Sequence, residues 1–241
     1  MEQSRDIFLP HPLHLRLTRS NACAYLPNRQ EQRLAADISH HPELHDQLAK
    51  AGYRRVENWV YKPACRACQA CLPIRVNAAA HGLSRNLQRL WRSNQDLRRI
   101  TTTKTITTEH YNLFISYLQH RHHDGQMAAM DYHEFENMVH NSPIETVLIE
   151  YRTVDERLIA CMLADVQSDG LSAVYSFFCP SEDRRSLGTY MILDMLSLCR
   201  EMDLQWLYLG YYVKDSDKMR YKARFQPAEV FQNGKWQRLV E

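Results

Sequence analysis

Cys65, Cys68 and Cys71 stand at three-residue intervals in the stretch CRACQAC. Three thiols on one short loop can face a single soft metal while nearby backbone amides stabilise the thiolates. A four-sulfur set needs one more ligand. Cys23, in NACAYLP, is the candidate, because Cys161, Cys179 and Cys199 belong to the second half of the chain. Four sulfurs suit zinc or an iron–sulfur cluster. Reduced thiols packed in a small domain are the open alternative. Seven cysteines in 241 residues is an odd number, in a chain too long for a stapled mini-protein. The histidines carry less. His40 and His41 begin a loop, and His120, His122 and His123 follow a helix end and read as its cap.

The second chemical feature is charge. Residues 54–104 hold eleven Lys and Arg against only Glu57 and Asp96, a balance of +9 inside a chain whose total is +2. Such a local excess points to a polyanion, nucleic acid first, with a solvated basic face as the plainer reading. Within it, the spacing predicts a helix over 84–98, with Ser84 as N-cap and Leu87, Leu90, Trp91 and Leu97 on its buried side. Arg85, Arg89 and Arg92 fall at i, i+4 and i+7. Together with Arg98 they can lie along a phosphate backbone while the helix packs on its own domain.

The elements that must position these groups divide near residue 100, where the arginine-rich segment gives way to TTTKTITT. Residues 1–99 read as a smaller, basic, cysteine-containing domain: a strand near Cys23, a helix over 43–51 stopped by Gly52, a strand over 54–61, the cysteine loop, then the arginine helix. Residues 100–241 read as a strand over 100–107, helices near 111–120 and 131–140, and strands at 145–154, 157–166 and 171–179. A helix over 186–202, a strand at 206–213 and a short helix near 217–224 follow. The last element is a hairpin turning on Asn233-Gly234. The class is α+β. Hydrophobic content of 44% and charged content of 24% are ordinary for a soluble globular chain. No apolar run approaches the roughly 20 residues that span a bilayer, so no membrane partner is expected. The N-terminal stretch MEQSRDIFLP lacks the features of a secretory signal, and a cytoplasmic protein is expected.

The element order of the second half resembles that of the GNAT acyltransferases. In that fold, Arg185-Ser186-Leu187-Gly188-Thr189-Tyr190 falls where loop and helix amides bind pyrophosphate. The family pattern has a small residue where this chain has Tyr190. Coenzyme A is therefore a poorer fit than another phosphate or a carboxylate, and Gly188 has a second reading as a close helix–sheet contact. Tyr208-Leu209-Gly210-Tyr211-Tyr212 falls on the strand where such sheets splay, as core or as pocket lining.

A closer resemblance rests on CAYLP, YKPACRACQACLPIRV, SRNLQRLWRSNQDL, VYSFF, RRSLGTYMILDM, YLGYYV and MRYKARFQP. These stretches cover most of the chain, in order. On them the sequence resembles the aminoacyl-tRNA–protein transferases, and most closely their bacterial branch, the aspartate/glutamate leucyltransferases. Two departures stand out: Phe178-Cys179-Pro180 where relatives carry Tyr-Asp-Pro, and AHGLSRN after PIRV. The resemblance implies a GNAT-like core that moves leucine from leucyl-tRNA to the N-terminal amine of a protein beginning with Asp or Glu, marking it for degradation. Arginyl-tRNA as donor is the alternative, as is an RNA-binding module with an inactive core. It also implies iron–sulfur or haem binding through Cys23, Cys65, Cys68 and Cys71. The chemistry needs no cofactor, because the donor ester is already activated. Backbone amides at Gly188 or on the splayed strand at Gly210 would hold the oxyanion. Tyr190, Tyr208 or Tyr211 would relay a proton to the leaving ribose hydroxyl. Arg75, Arg185 or Lys222 would read the acceptor's carboxylate, and Arg85, Arg89, Arg92 and Arg98 would hold tRNA phosphates.

Overall fold

The computed structural model describes residues 13–102, 105–121 and 129–240; Lys104, His122 and His123 lie outside the described residues. The first half holds β1 (Arg16–Leu17), β2 (Asn21–Ala22), β3 (Gln30–Glu31), β4 (Arg33–Asp37), α1 (His45–Lys50), β5 (Arg54–Val56), β6 (Trp59–Pro63), β7 (Leu72–Asn77) and α2 (Arg85–Arg92). The second holds β8 (Arg98–Thr102), α3 (Thr108–Arg121), α4 (Tyr132–His140), β9 (Thr146–Arg152), β10 (Leu158–Val166) and β11 (Gly170–Phe178). It closes with α5 (Leu187–Glu201), β12 (Trp206–Tyr212), β13 (Ala228–Gln232) and β14 (Lys235–Arg238).

Eight strands form one mixed sheet in the order β14-β13-β7-β12-β11-β10-β9-β8. β12 and β11 are its middle strands, and beside them the β10 run LIACMLADV is buried along both faces up to Asp165. Ile149, Ile159 and Met162 pack with α5 and Leu87 of α2, while Leu148, Cys161 and Leu163 meet α3 and α4; a register shift between Leu158 and Ala160 interrupts the alternation. The sheet is thus covered by helices on both faces. A second, four-stranded sheet, β1-β4-β6-β5, packs with α1 around Ile38, Leu48 and Val60.

The large sheet crosses the expected division at residue 100. β7, from the first half, lies between β12 and β13. Its sequence LPIRVN alternates, with Ile74 and Val76 fully buried, and no strand is expected there from sequence alone. The predicted strand over 54–61 is instead a hairpin, broken where Glu57 adopts φ 50°. The arginine helix starts as predicted, with the Ser84 side chain accepting from the Leu87 amide, but ends at Arg92. Asn94 ends it: its buried side-chain amide donates to Leu90 O and to Arg185 O, which ties the helix end to the segment before α5. Arg98 consequently lies on β8, paired with Glu156, and not on the stripe.

Candidate active-site cleft

β11 and β12 run parallel but pair only over Gly170–Ser172 with Trp206–Tyr208. Gly170 permits the tight start: a Cβ there would meet Trp206 O at 2.3 Å. Beyond Tyr208 the register of β12 against β7 shifts, and Gly210 takes φ +76°, a left-handed geometry that side chains resist. The two strands part. The gap is a cleft of about 690 Å³, bounded by Ala173–Ser176 of β11, Leu209 of β12 and the first turn of α5. That is room for a small substrate group at the end of a larger one. Five cations line it, Arg54, Arg121, Lys218, Lys222 and Arg224, against two acids, Glu182 and Asp183. Glu182 is already engaged by Arg157 and Arg185.

Arg54 reaches this seam from the other sheet. Its Nη2 donates to Ala173 O at 2.9 Å and Val174 O at 3.1 Å, carbonyls at the point where β11 leaves its partner. Its guanidinium lies against the bare Cα of Gly210; a Cβ there would sit 1.7 Å from Nη1. Lys222 is 6% exposed, and its Nζ donates to Tyr211 O at 2.8 Å. Burial, followed by the charge of Arg54, pulls its ammonium down to about 7. Among the described residues no carboxylate lies within ion-pair distance of either group.

Of the predicted site residues, Gly188 and Lys222 line the cleft and Gly210 shapes it. The three tyrosines do not open into it. Tyr190 is 3% exposed, wedged between Trp91 and Tyr151, because α5 turns Gly188 and Ile192 to the cleft and Tyr190 toward α2. The Tyr208 hydroxyl donates to Asp169 at 3.0 Å and accepts from Arg75. Tyr211 donates to Tyr61 O at 3.0 Å, beside the cysteines. Arg75 is held between the rings of Trp206 and Trp236 at 3.8 and 4.3 Å and paired with Glu229. Arg185 binds Asp96 through both terminal nitrogens and Glu182 through Nε. Neither arginine is available to read a carboxylate in the cleft.

Arg85, Arg89 and Arg92 are exposed along α2, whose C-terminal end Asn94 fastens to the residue before Ser186 and the cleft lip. The stripe therefore leads to the mouth of the cleft. Cys23, Cys65, Cys68 and Cys71 converge on one pocket of about 30 Å³, and all four are free and half-buried. Burial and the three neighbouring thiols push Cys71 up to about 12. As they stand, among the described residues no group of three His, Cys, Asp or Glu side chains could hold a metal ion. The thiols share a pocket without forming a ligand set.

Sequence reading missed Arg54. One signal was present: two arginines in succession on a strand, Arg54-Arg55, must send their guanidiniums to opposite faces, so one of them faces inward.

Residues 21–89 match the family described as "Arginine-tRNA-protein transferase, N terminus", and residues 109–232 its C terminus. An aspartate/glutamate leucyltransferase from Gluconacetobacter diazotrophicus is 43% identical over 89% of this chain and 83% of its own. One from Granulibacter bethesdensis is 38% identical over 100% and 90%. In fold alone, the chain is similar to the C-terminal domain of a protein from Agrobacterium fabrum described as a lysylphosphatidylglycerol synthetase. That likeness has a TM-score of 0.50 at 16% identity, over 82% of this chain and 63% of that one. No helix among the described residues is long and apolar enough to cross a membrane. With both halves matched and relatives aligned across most of their length, the chain belongs to the arginine-tRNA-protein transferase family.

Proposed function

We propose that this chain is a cytoplasmic aminoacyltransferase that moves leucine from leucyl-tRNA to the N-terminal amine of proteins beginning with Asp or Glu, marking them for degradation. The observation that carries it is the cation-lined cleft between parted strands β11 and β12, in a chain so similar to aspartate/glutamate leucyltransferases. Parted parallel strands beside a helix N-terminus resemble the GNAT acyltransferase arrangement.

The attacking α-amine has a pKa near ~7.7–8.0, so part of it is neutral at physiological pH and needs no strong base. Its lone pair adds to the ester carbonyl. The tetrahedral oxyanion is held by amides of the first turn of α5 at Gly188, and collapse expels the ribose 3′- or 2′-oxygen, which takes up the amine's proton. Positioning in the cleft supplies roughly 7–11 kcal/mol in well-oriented cases. The test mixes the purified chain with labelled leucyl-tRNA and peptides beginning with Asp or Ala. Leucine on the Asp peptide alone is expected. Transfer from arginyl-tRNA only, or RNA binding without transfer, would overturn the reading.

The stripe gives a second measurement. Replacing Arg85, Arg89 and Arg92 together by glutamine is expected to weaken tRNA binding. The plot of log affinity against log salt should flatten by about 2–3, since each lost phosphate contact removes ~0.7–0.9. An unchanged slope would take the stripe out of the tRNA path. Arg98 is expected to contribute less, because Glu156 already pairs with it.

We propose also that Cys23, Cys65, Cys68 and Cys71, once turned toward one another, take a soft metal. The pocket of about 30 Å³ suits a single ion better than a polynuclear cluster. Elemental analysis of the purified chain should find about one zinc per chain, falling in Cys68→Ser. Metal-free protein with full stability would overturn this.

A further inference from the structure

We infer that Arg54, with Lys222 beside it, reads the side-chain carboxylate of the acceptor's first residue at the floor of the seam; this rests on the transferase reading above. Three observations converge on Arg54. Its Nη2 is anchored to Ala173 O and Val174 O, so the guanidinium is fixed where the strands part. Its Nε is buried and has no hydrogen-bond partner. It occupies the space left by Gly210, where any side chain would displace it. A buried guanidinium donor without an acceptor is costly to leave unmade, and an entering carboxylate oxygen satisfies it.

Lys222 completes the reader. Among the described residues its hydrogen-bond partners are Tyr211 O and the Met219 sulfur, neither of which neutralises a charge. The two cations are close enough for Arg54 to disfavour the charge on Lys222. An anion set against both removes that repulsion. Two other cations of the cleft are placed differently. Arg121 lies over the Phe178 ring, and Arg224 donates to Thr189 at 2.5 Å. The titratable groups that act on Lys222 are Arg54 on β5 and the Cys71 thiol in the cysteine loop; Glu182 and Asp183 border the same cleft. A carboxylate is favoured over a phosphate of the tRNA. The exposed stripe on α2 is the proposed path of the polyanion, and the buried, partnerless Nε of Arg54 suits one small planar anion.

The experiment measures kcat/KM for peptides beginning with Asp and with Asn, and KM for leucyl-tRNA, in the wild-type chain, Arg54→Gln and Arg54→Lys. The isosteric pair isolates the charge. Arg54→Gln is expected to lose roughly 10–100-fold on the Asp peptide and little on the Asn peptide, with leucyl-tRNA KM unchanged. Arg54→Lys, which keeps the charge, should retain most of the Asp preference. An Asp-to-Asn ratio that survives in Arg54→Gln would overturn the inference. So would an equal loss on both peptides with a raised leucyl-tRNA KM, which would assign Arg54 to the tRNA end. If Arg54→Gln does not fold, Arg54→Met takes its place as the uncharged variant: loss of the Asp preference in it supports the inference, and loss on both peptides alike refutes it. A wild-type chain that transfers no leucine fails before any substitution, and so marks the failure of the transferase reading itself.

Discussion

Asp165→Ala is expected to cost about 3–5 kcal/mol of folding stability, the usual consequence of stranding one member of a buried ion pair. Asp165 on β10 and Arg55 on β5 are each 1% exposed. Arg55 donates from Nε to Oδ2 at 2.8 Å and from Nη2 to Oδ1 at 2.5 Å, while Nη1 reaches Glu57 O. Thr146 donates to the same carboxylate at 3.0 Å. With Asp165 gone, the guanidinium stays buried with one backbone acceptor and a hydroxyl. Denaturant titration should show the midpoint fall with an unchanged slope. The double replacement Arg55→Met with Asp165→Leu is expected to recover most of the loss, because no buried charge remains. A single variant within about 1 kcal/mol of wild type would mean that the pair does not join the two sheets. The pair also sets function at a distance: Arg54 and Arg55 alternate on β5, so the bolt that seats one aims the other into the seam.

Gly210→Ala should separate activity from stability. Alanine at φ +76° carries roughly 1–2 kcal/mol of left-handed strain. Its Cβ would lie 1.7 Å from Arg54 Nη1 and 2.4 Å from Cζ. The flexible arginine yields before the sheet does, so the guanidinium leaves the seam and Ala173 O and Val174 O lose their donor. Transfer to Asp peptides is expected to fall roughly 100-fold, as for a reacting group displaced by about an ångström. Melting should drop by only a few degrees. Gly234→Ala is the matched control: it sits at φ +77°, but nothing lies within 4 Å of the new methyl. It should show the same small loss of melting temperature and full transfer. Equal activity in the two variants would refute the role of the Arg54–Gly210 contact.

Much of the second half was legible because its signals are local. Asp131 with Glu134 forms a capping box, Asn233-Gly234 turns a hairpin, and three strands follow one another between short turns. The same holds for Ser84, which caps its helix as its residue type and position suggest. The failures are long-range. Nothing near LPIRVN says that its partners lie at 206–212 and 228–232. Nothing near Asn94 says that it will bond Arg185 O and end the helix early. The site divides in the same way. A helix start and a cluster of cations are visible in sequence, and the structure places Gly188 and Lys222 in the lining of the cleft. Tyr190, Tyr208 and Tyr211 were misplaced because helix rotation and strand register, not residue type, decide which face a ring takes. Arg75 and Arg185 were misread because their neutralising carboxylates, Glu229 and Asp96, are distant in sequence.

The placement of β7 has a consequence for how the molecule is made. This strand leaves the ribosome early, yet its two neighbours, β12 and β13, are among the last segments synthesised. At ~5–20 residues per second it waits roughly ten seconds for them, with Ile74 and Val76 uncovered. The nascent chain must shelter that apolar row, and a message truncated before residue 206 would release a product with no means of burying it.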